Sequence, residues 1–370
     1  MIEAPSLGEK LASRTSLRAC SACCFSVEDL LNFIDKIEKN SNVKRVYLLA
    51  LLASASYAAV VGQQGEPVTM LFAGDVTLAH HIEREVGDKV DYIFEHWNQV
   101  GAYDLFMVNL ENPVTRSTGK VEKEFNFRMP PRYLRTLKNA AINVVNLANN
   151  HIVDFGIQGL YDTFANLDSA GIRYVGAGRD IGEARTPVLI DLKGKRIGIL
   201  GYYGSGKWAA TPTRAGVAPR HEPSVISDVR KLRDSVDYLV VNFHWGEESA
   251  ERPSPELIRL AHRVVDAGAD LIVGHHPHTL QGIERYKGKV IAYSLGNFVF
   301  GGNSRRSYGT AVLSVLLGDT TQEVELVPVQ VINWQPQVAQ RSNAEVIFRR
   351  VRDRSAIFSE SISFPSGATE

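Results

Sequence analysis

The sequence predicts an α/β protein, with one mixed sheet or two packed sheets covered by helices. Three observations predict it. Short apolar, partly β-branched runs alternate with stretches of helical apolar spacing. A hairpin is written around Lys193-Gly194-Lys195, and the last part of the chain is rich in strands. Run after run also stops at a residue able to bind a metal, at the strand end where α/β folds place their chemistry.

Taken in order, the body begins at Val68, and Val68–Ala73 reads as a strand ending at Gly74-Asp75. Leu105–Leu110 is a second strand, ending at Glu111-Asn112-Pro113. The third, Val144–Leu147, runs into Asn149-Asn150-His151, and Arg173–Gly176 is a fourth. Val188–Asp191 and Arg196–Gly201 form the hairpin. Tyr238–Phe243 stops at His244-Trp245-Gly246, and Leu271–Gly274 stops at His275-His276-Pro277-His278. Lys289–Ser294 precedes Leu295-Gly296-Asn297-Phe298, which could put an amide into a site but reads more simply as a Gly-Asn turn. Thr310–Leu317 and Gln322–Ile332 read as a closing antiparallel pair. Helical spacing covers Pro130–Ala140, Gln158–Ala170, Val225–Ser235 and Ser254–Ala267. The pattern places the folded body at 66–335. It fades after Asn333, leaving 336–370 as a C-terminal extension with a loose tail from Ser363.

The chain has 370 residues, enough for a sizeable core. Its 41 basic and 41 acidic residues balance, so no basic excess points to nucleic acid. Residues 1–45 show no core pattern beyond a short amphipathic stretch at Val27–Ile37. The cysteines, Cys20, Cys23 and Cys24, have the spacing of half a zinc knuckle with no second half. Lys44-Arg45, an apolar run and small residues at Ala53 and Ala55 have the grammar of a secretory signal. Residues 46–61 therefore predict export to the periplasm or cell surface, by a cleaved signal or a membrane anchor. Gly62–Pro67 reads as a linker.

The central stretch is Asn146-Leu147-Ala148-Asn149-Asn150-His151, followed by Asp154. An Asn carbonyl is a neutral ligand, a neighbouring His carries protons, and Asp154 can hold that imidazole in one tautomer. Taken alone, the stretch reads more simply as a turn capping a helix. Asp75 alone reads as a Gly-Asp turn, His244 equally as a satisfied core histidine, and the His pair as surface residues of a turn. The recurrence decides. Asp75, Glu111, Asn150, His244, His276 and His278 all stand at strand ends. His276-Pro277-His278 would place two imidazoles on one side of an extended segment. Oxygen and nitrogen donors suit Mn, Fe, Zn or Co, and their number suits two divalent ions sharing a carboxylate. His151 would then protonate a leaving group.

In this order the motifs Gly74-Asp75, Asn109-Leu110-Glu111, Asn149-Asn150-His151 with Asp154, His244-Trp245-Gly246, Gly274-His275-His276-Pro277-His278 and Ser294-Leu295-Gly296-Asn297-Phe298 resemble the CapA-type poly-γ-glutamate capsule biosynthesis family. That family is similar to the calcineurin-like metallophosphoesterases. The resemblance covers about residues 68–302. It implies a four-layer α/β/β/α metallophosphoesterase-like sandwich with its site at the rim. It implies metal ligation by Asp75, Glu111, Asn150, His244, His276 and His278, Glu111 standing at the bridging position, and proton transfer by His151. Two positions depart from the phosphoesterase pattern. Asp75-Val76-Thr77 lacks the histidine of Asp-x-His, and the bridging residue is Glu rather than Asp. His275 competes with His276 as the ligand.

These features imply a capsule biosynthesis or export protein with a dinuclear hydrolase site, acting on an anionic polymer or a phosphoester within a capsule synthesis complex. The alternatives are a phosphodiesterase or phosphomonoesterase for a small molecule or lipid headgroup, and a non-catalytic metal-binding scaffold. Arg128, Arg132 and Arg135 could receive polymer carboxylates, but read more simply as a solvated helix face.

Overall fold

A computed structural model describes residues 66–97, 101–204, 206–319 and 321–364. The N-terminal extension, its cysteines and the signal-like run at 46–61 lie outside the described residues. Among the described residues no helix is long and apolar enough to cross a membrane.

The chain opens with strand β1 (Val68–Thr77), the short helix α1 (His81–Val86) and β2 (Leu105–Leu110). Helix α2 (Leu134–Asn139), β3 (Val144–Asn146), α3 (Gly156–Ala170) and β4 (Arg173–Val175) follow. The expected helix over 130–140 is thus split, because Pro131 opens a 3-10 turn before α2. After β5 (Ala177–Gly178) and α4 (Ile181–Ala184) come the hairpin β6 (Val188–Leu192) and β7 (Lys195–Tyr203), then β8 (Gly216–Val217). Next are α5 (Glu222–Arg233), β9 (Tyr238–His244), α6 (Pro255–Ala267) and β10 (Leu271–His275). The last part holds β11 (Ile283–Tyr286), β12 (Lys289–Ala292), β13 (Asn297–Phe300), β14 (Tyr308–Leu317), β15 (Gln322–Ile332), β16 (Gln335–Val338) and α7 (Arg341–Ser355).

Two main sheets result. One runs β16-β15-β14-β1-β2-β3-β4, with β13 pairing onto β1, and the other runs β11-β12-β10-β9-β7-β6. They pack face to face. Met70, Phe72, Leu105, Met107 and Val144 of the first bury against Ile197, Ile199, Val240, Leu271 and Val273 of the second. The opposite face of the first sheet is covered by α2 and α3, through Leu137, Leu160, Phe164 and Leu167. The opposite face of the second is covered by α5 and α6, through Val225, Val229, Leu257, Leu260 and Val264. The architecture is therefore four layers, α/β/β/α.

Local chemistry explains the elements. Helix α6 starts where the Ser254 side chain accepts from Leu257 N–H, and Pro255 follows with its φ already helical. Strands β2 and β9 are buried on both faces, as strands inside layered sheets are. Their residues still alternate: Leu239, Val241 and Phe243 meet the helices, while Val240 meets the other sheet. The C-terminal segment does not fade. β16 adds an antiparallel edge, and α7 buries Ile347, Phe348 and Val351 amid its arginines.

Candidate metal centre

The alternation that builds the apolar layer also builds the site. On β2 the inward row is Leu105, Met107, Asn109, with Glu111 next in phase. On β9 it runs from Val240 through Asn242 to His244, and on β10 from Leu271 and Val273 to His275. At the carboxyl ends these rows turn from apolar to polar. Asp75 would be out of phase, since Met70 and Phe72 are the inward residues of β1. A bulge corrects it: Phe72 pairs with Met107 but Asp75 with Asn109, so β1 holds one residue more than its partner there. Gly74 is required by close approach, because a Cβ on it would lie 1.8 Å from Gly296 O. The same crossing is tied by Asp75 N–H donating to Gly296 O at 2.9 Å.

The structure brings Asp75, Glu111, Asn150, His244, His276 and His278 together. Glu111 and His244 are fully buried, and Glu111 Oε1 faces His244 Nε2 at 3.6 Å and His278 Nε2 at 3.8 Å. His278 Nδ1 lies 3.1 Å from Asp75 Oδ2, and His244 Nε2 lies 2.8 Å from Asn150 Oδ1. Glu111, His244 and His276 form one group whose ligand atoms lie within 4.8 Å of one another, and Asp75, Glu111 and His278 form another. Glu111 belongs to both, which is the relation of a bridging ligand. A third group joins Glu248, a residue not singled out in the sequence, to His276 and His278.

These donors fit divalent ions. Glu111 Oε1 and His276 Nδ1 are buried and make no hydrogen bond. A buried carboxylate oxygen without a donor is costly unless a cation answers it. The protein's own groups leave the charge uneven. Burial holds Glu111 well above the ordinary carboxylate range, and the charge of Asp75 adds to this while His278 opposes it. Burial also pushes Asp75 up, but the hydrogen bond and charge of His278 outweigh it and the result is lowered. Burial lowers His276 and His275 to about 4, and His244 well below its usual value. Burial opposes the charge of His278 too, but Glu111 and Asp75 raise it to about 10. His244, His275 and His276 are thus neutral, the donor state a metal needs, whereas His278 would give up a proton when an ion binds.

Around these donors lies a ring of amides. Asn109 Nδ2 donates to Asp75 Oδ1 at 2.8 Å and lies 3.2 Å from His244 Nδ1. Asn146 Nδ2 donates to Asn109 Oδ1 at 2.9 Å, and Asn149 Nδ2 to Leu110 O at 2.8 Å. Asn297 Oδ1 lies 2.9 Å from His278 Nδ1, so the Gly-Asn turn expected there is corrected: its amide enters the site. The extended reading of His276-Pro277-His278 is corrected as well. Positive φ values of 96° at His276 and 55° at His278 bend the chain just beyond β10, and the bend rather than strand alternation aims the two rings.

Beside the ligands, His151 Nδ1 lies 2.6 Å from Asp154 Oδ2. Lys123, invisible in the sequence reading, reaches Asp154 Oδ1 at 2.8 Å, Asn150 O at 2.8 Å and His151 Nδ1 at 3.0 Å. Burial lowers the pKa of His151; Asp154 opposes this and Lys123 adds to it. Arg132 and Arg135 are exposed and pair with Asp88 and Asp91, in keeping with a solvated face, and Arg128 donates to Ser117 O.

Fold and site together define a four-layer α/β/β/α protein with a divalent-cation ligand cluster at the carboxyl ends of its strands. The family model described as bacterial capsule synthesis protein PGA_cap matches residues 69–302, more than half of the chain. The capsule biosynthesis protein CapA of Bacillus anthracis is 33% identical over 338 residues, covering 84% of this chain and 81% of that protein. The PGA biosynthesis protein CapA of Bacillus subtilis (strain 168) is 34% identical over 273 residues, covering 72% of each. The chain belongs to the PGA_cap family of bacterial capsule synthesis proteins. A 5'-nucleotidase from Candida albicans SC5314 is similar at a TM-score of 0.43 and 9% identity, covering 79% of this chain and 59% of that one.

Proposed function

We propose that this chain is an exported protein of poly-γ-glutamate capsule assembly with a dinuclear metal-dependent hydrolase site. One observation carries the hydrolase reading: Glu111 Oε1 is buried, lacks a hydrogen bond, and faces imidazoles of both ligand groups. Two divalent ions at such a site would supply Lewis acidity toward a phosphoester or acyl substrate. The protein's own groups do the rest. Asp154 accepts from His151 Nδ1–H, which leaves Nε2 as the atom that exchanges a proton with the reacting group. Lys123 holds Asp154 and the Asn150 carbonyl, so the proton carrier and one ligand share an anchor.

An anionic substrate is supported by Arg220. Its backbone N–H donates to Tyr203 O at 3.1 Å, at the tip of β7, and its Nη1 is buried with no hydrogen-bond partner. The Tyr203 ring lies 5.4 Å from that of His244. A guanidinium there can receive a carboxylate or a phosphate. Capsule assembly rests on family membership, and export rests on the signal-like run at 46–61.

The test uses the full chain, loaded with Mn, Zn or Co and assayed on a generic phosphodiester and on γ-glutamyl polymer. Bound metal, with turnover that a chelator stops and metal restores, supports the reading. Asn150→Ala and His278→Ala should lose both. A protein that retains no metal and is indifferent to these substitutions would sink it. Metal bound without turnover of either substrate would leave a binding scaffold.

A further inference from the structure

The two ligand groups are unequal. Glu111, His244 and His276 have Asn150 Oδ1 at hand, 2.8 Å from His244 Nε2, and so reach four donors. Asp75, Glu111 and His278 number three. The residue two beyond Asp75 is Thr77, a weaker donor than an imidazole, and its hydroxyl donates to Glu111 O at 3.3 Å. A tetrahedral catalytic ion takes three protein donors and a water or substrate, while an octahedral ion such as Mn has room for more.

We infer that His275 is the missing ligand beside Asp75, so that His275 and His276 serve different ions. His275 continues the inward row of β10 and is only 1% exposed. Its Nε2 lies 3.5 Å from Asn242 Oδ1, a long contact to an acceptor, which favours the ring proton on that side. Its Nδ1 is buried, makes no hydrogen bond and faces Asp75 Oδ1 at 3.7 Å. That is too long for a hydrogen bond. It is a separation that two ligand bonds of about 2.0–2.2 Å can span from a common ion. Because His275 stands outside the groups whose ligand atoms lie within 4.8 Å of one another, its ring must turn toward the ion that Asp75, Glu111 and His278 would hold. Two lone-pair atoms facing each other in a buried place repel unless a cation lies between them. Neighbouring imidazoles in sequence thus diverge: His275 stays in the ladder, pairing with His244, and the bend begins at His276.

The inference rests on the dinuclear reading, and the experiment separates the two. The full chain and its His275→Gln variant are stripped with chelator, reloaded with Mn(II), and passed over a desalting column. Metal per chain is then counted, and the spin coupling of paired Mn(II) is read by electron paramagnetic resonance. We expect two ions and a coupled signal in the parent, and one ion with an uncoupled signal in the variant. Two ions at unchanged affinity in His275→Gln would overturn the inference and leave the dinuclear reading intact. No ion in the parent would overturn both. A second measurement needs no variant: anomalous scattering from Mn-soaked crystals of the parent should show a peak within ligand distance of His275 Nδ1. A peak beside Asp75 that His275 does not reach would overturn the inference equally.

Discussion

The space between the two sheets has two ends built on one alternation, and they obey opposite rules. At one end Leu105, Met107, Val240 and Leu271 bury together in one apolar layer. At the other, the same rows continue as Asn109, Glu111, His244 and His275, all buried. Burial stabilises the first end in proportion to the apolar area removed from water. Burial opposes the second, where carboxylates and imidazoles surrender hydration for partners they only half find. The apolar end holds the sheets together, and the polar end is held by them in a state that a cation would relieve.

Breaking each end in turn gives the largest effects. Glu111→Gln removes the negative charge shared by both ligand groups and leaves one weak amide oxygen, so bound metal should fall steeply by elemental analysis. The same change should leave the unfolding midpoint of chelated protein equal or higher, because a neutral amide replaces a carboxyl whose ionisation burial resists. Leu271→Ala should do the reverse. It should cost about 2–5 kcal/mol in urea unfolding while metal per folded chain is unchanged. If both variants destabilise chelated protein alike, the two ends do not differ as described.

Acid and alkali sharpen the contrast. His275 and His276 have an ordinary value of 6.5 and are lowered by burial to about 4. Between those values the unfolded chain takes up protons that the folded chain refuses, so chelated protein should lose stability as pH falls from 6.5 toward 4. Asp75, lowered, acts with the same sign. His278 runs the other way, raised from 6.5 to about 10 by Glu111 and Asp75 against its burial. Its contribution is complete below pH 6.5 and is lost as pH rises toward 10. Thermal melts of chelated protein should therefore peak near pH 6.5, with His276→Gln flattening the acid limb. A flat profile through both limbs would contradict the charge distribution.

The difference between the ends also explains what the sequence made legible. Apolar runs announced the layers and the antiparallel pair β14–β15, because period-two burial is written in the residues themselves. The candidate ligands are legible for the same reason, as polar residues at strand ends. What escaped depended on local geometry or distant packing. The bulge that re-aims Asp75 leaves only Gly74 as its trace. The bend at His276 and His278 needs positive φ, which nothing but Pro277 hints at. Lys123 comes from a loop 28 residues before His151 in the chain, with no periodicity to mark it. Helix α7 carries few apolar residues, and its buried stripe was lost among arginines.

The smallest predicted effect tests whether the amide ring is part of the metal centre or merely packing around it. Asn297 Oδ1 accepts from His278 Nδ1, which fixes the ring so that Nε2 faces Glu111. Partners of this kind typically contribute 10–100-fold to metal affinity. Asn297→Ala should therefore weaken binding by about that factor in competition with a chromophoric chelator. The fold should survive, because β13 is held to β1 by its backbone, with Asn297 in register with Asp75. Asn297→Asp keeps the acceptor and should keep the affinity. If alanine and aspartate weakened binding equally, the acceptor oxygen would be irrelevant and the ring of amides would reduce to packing.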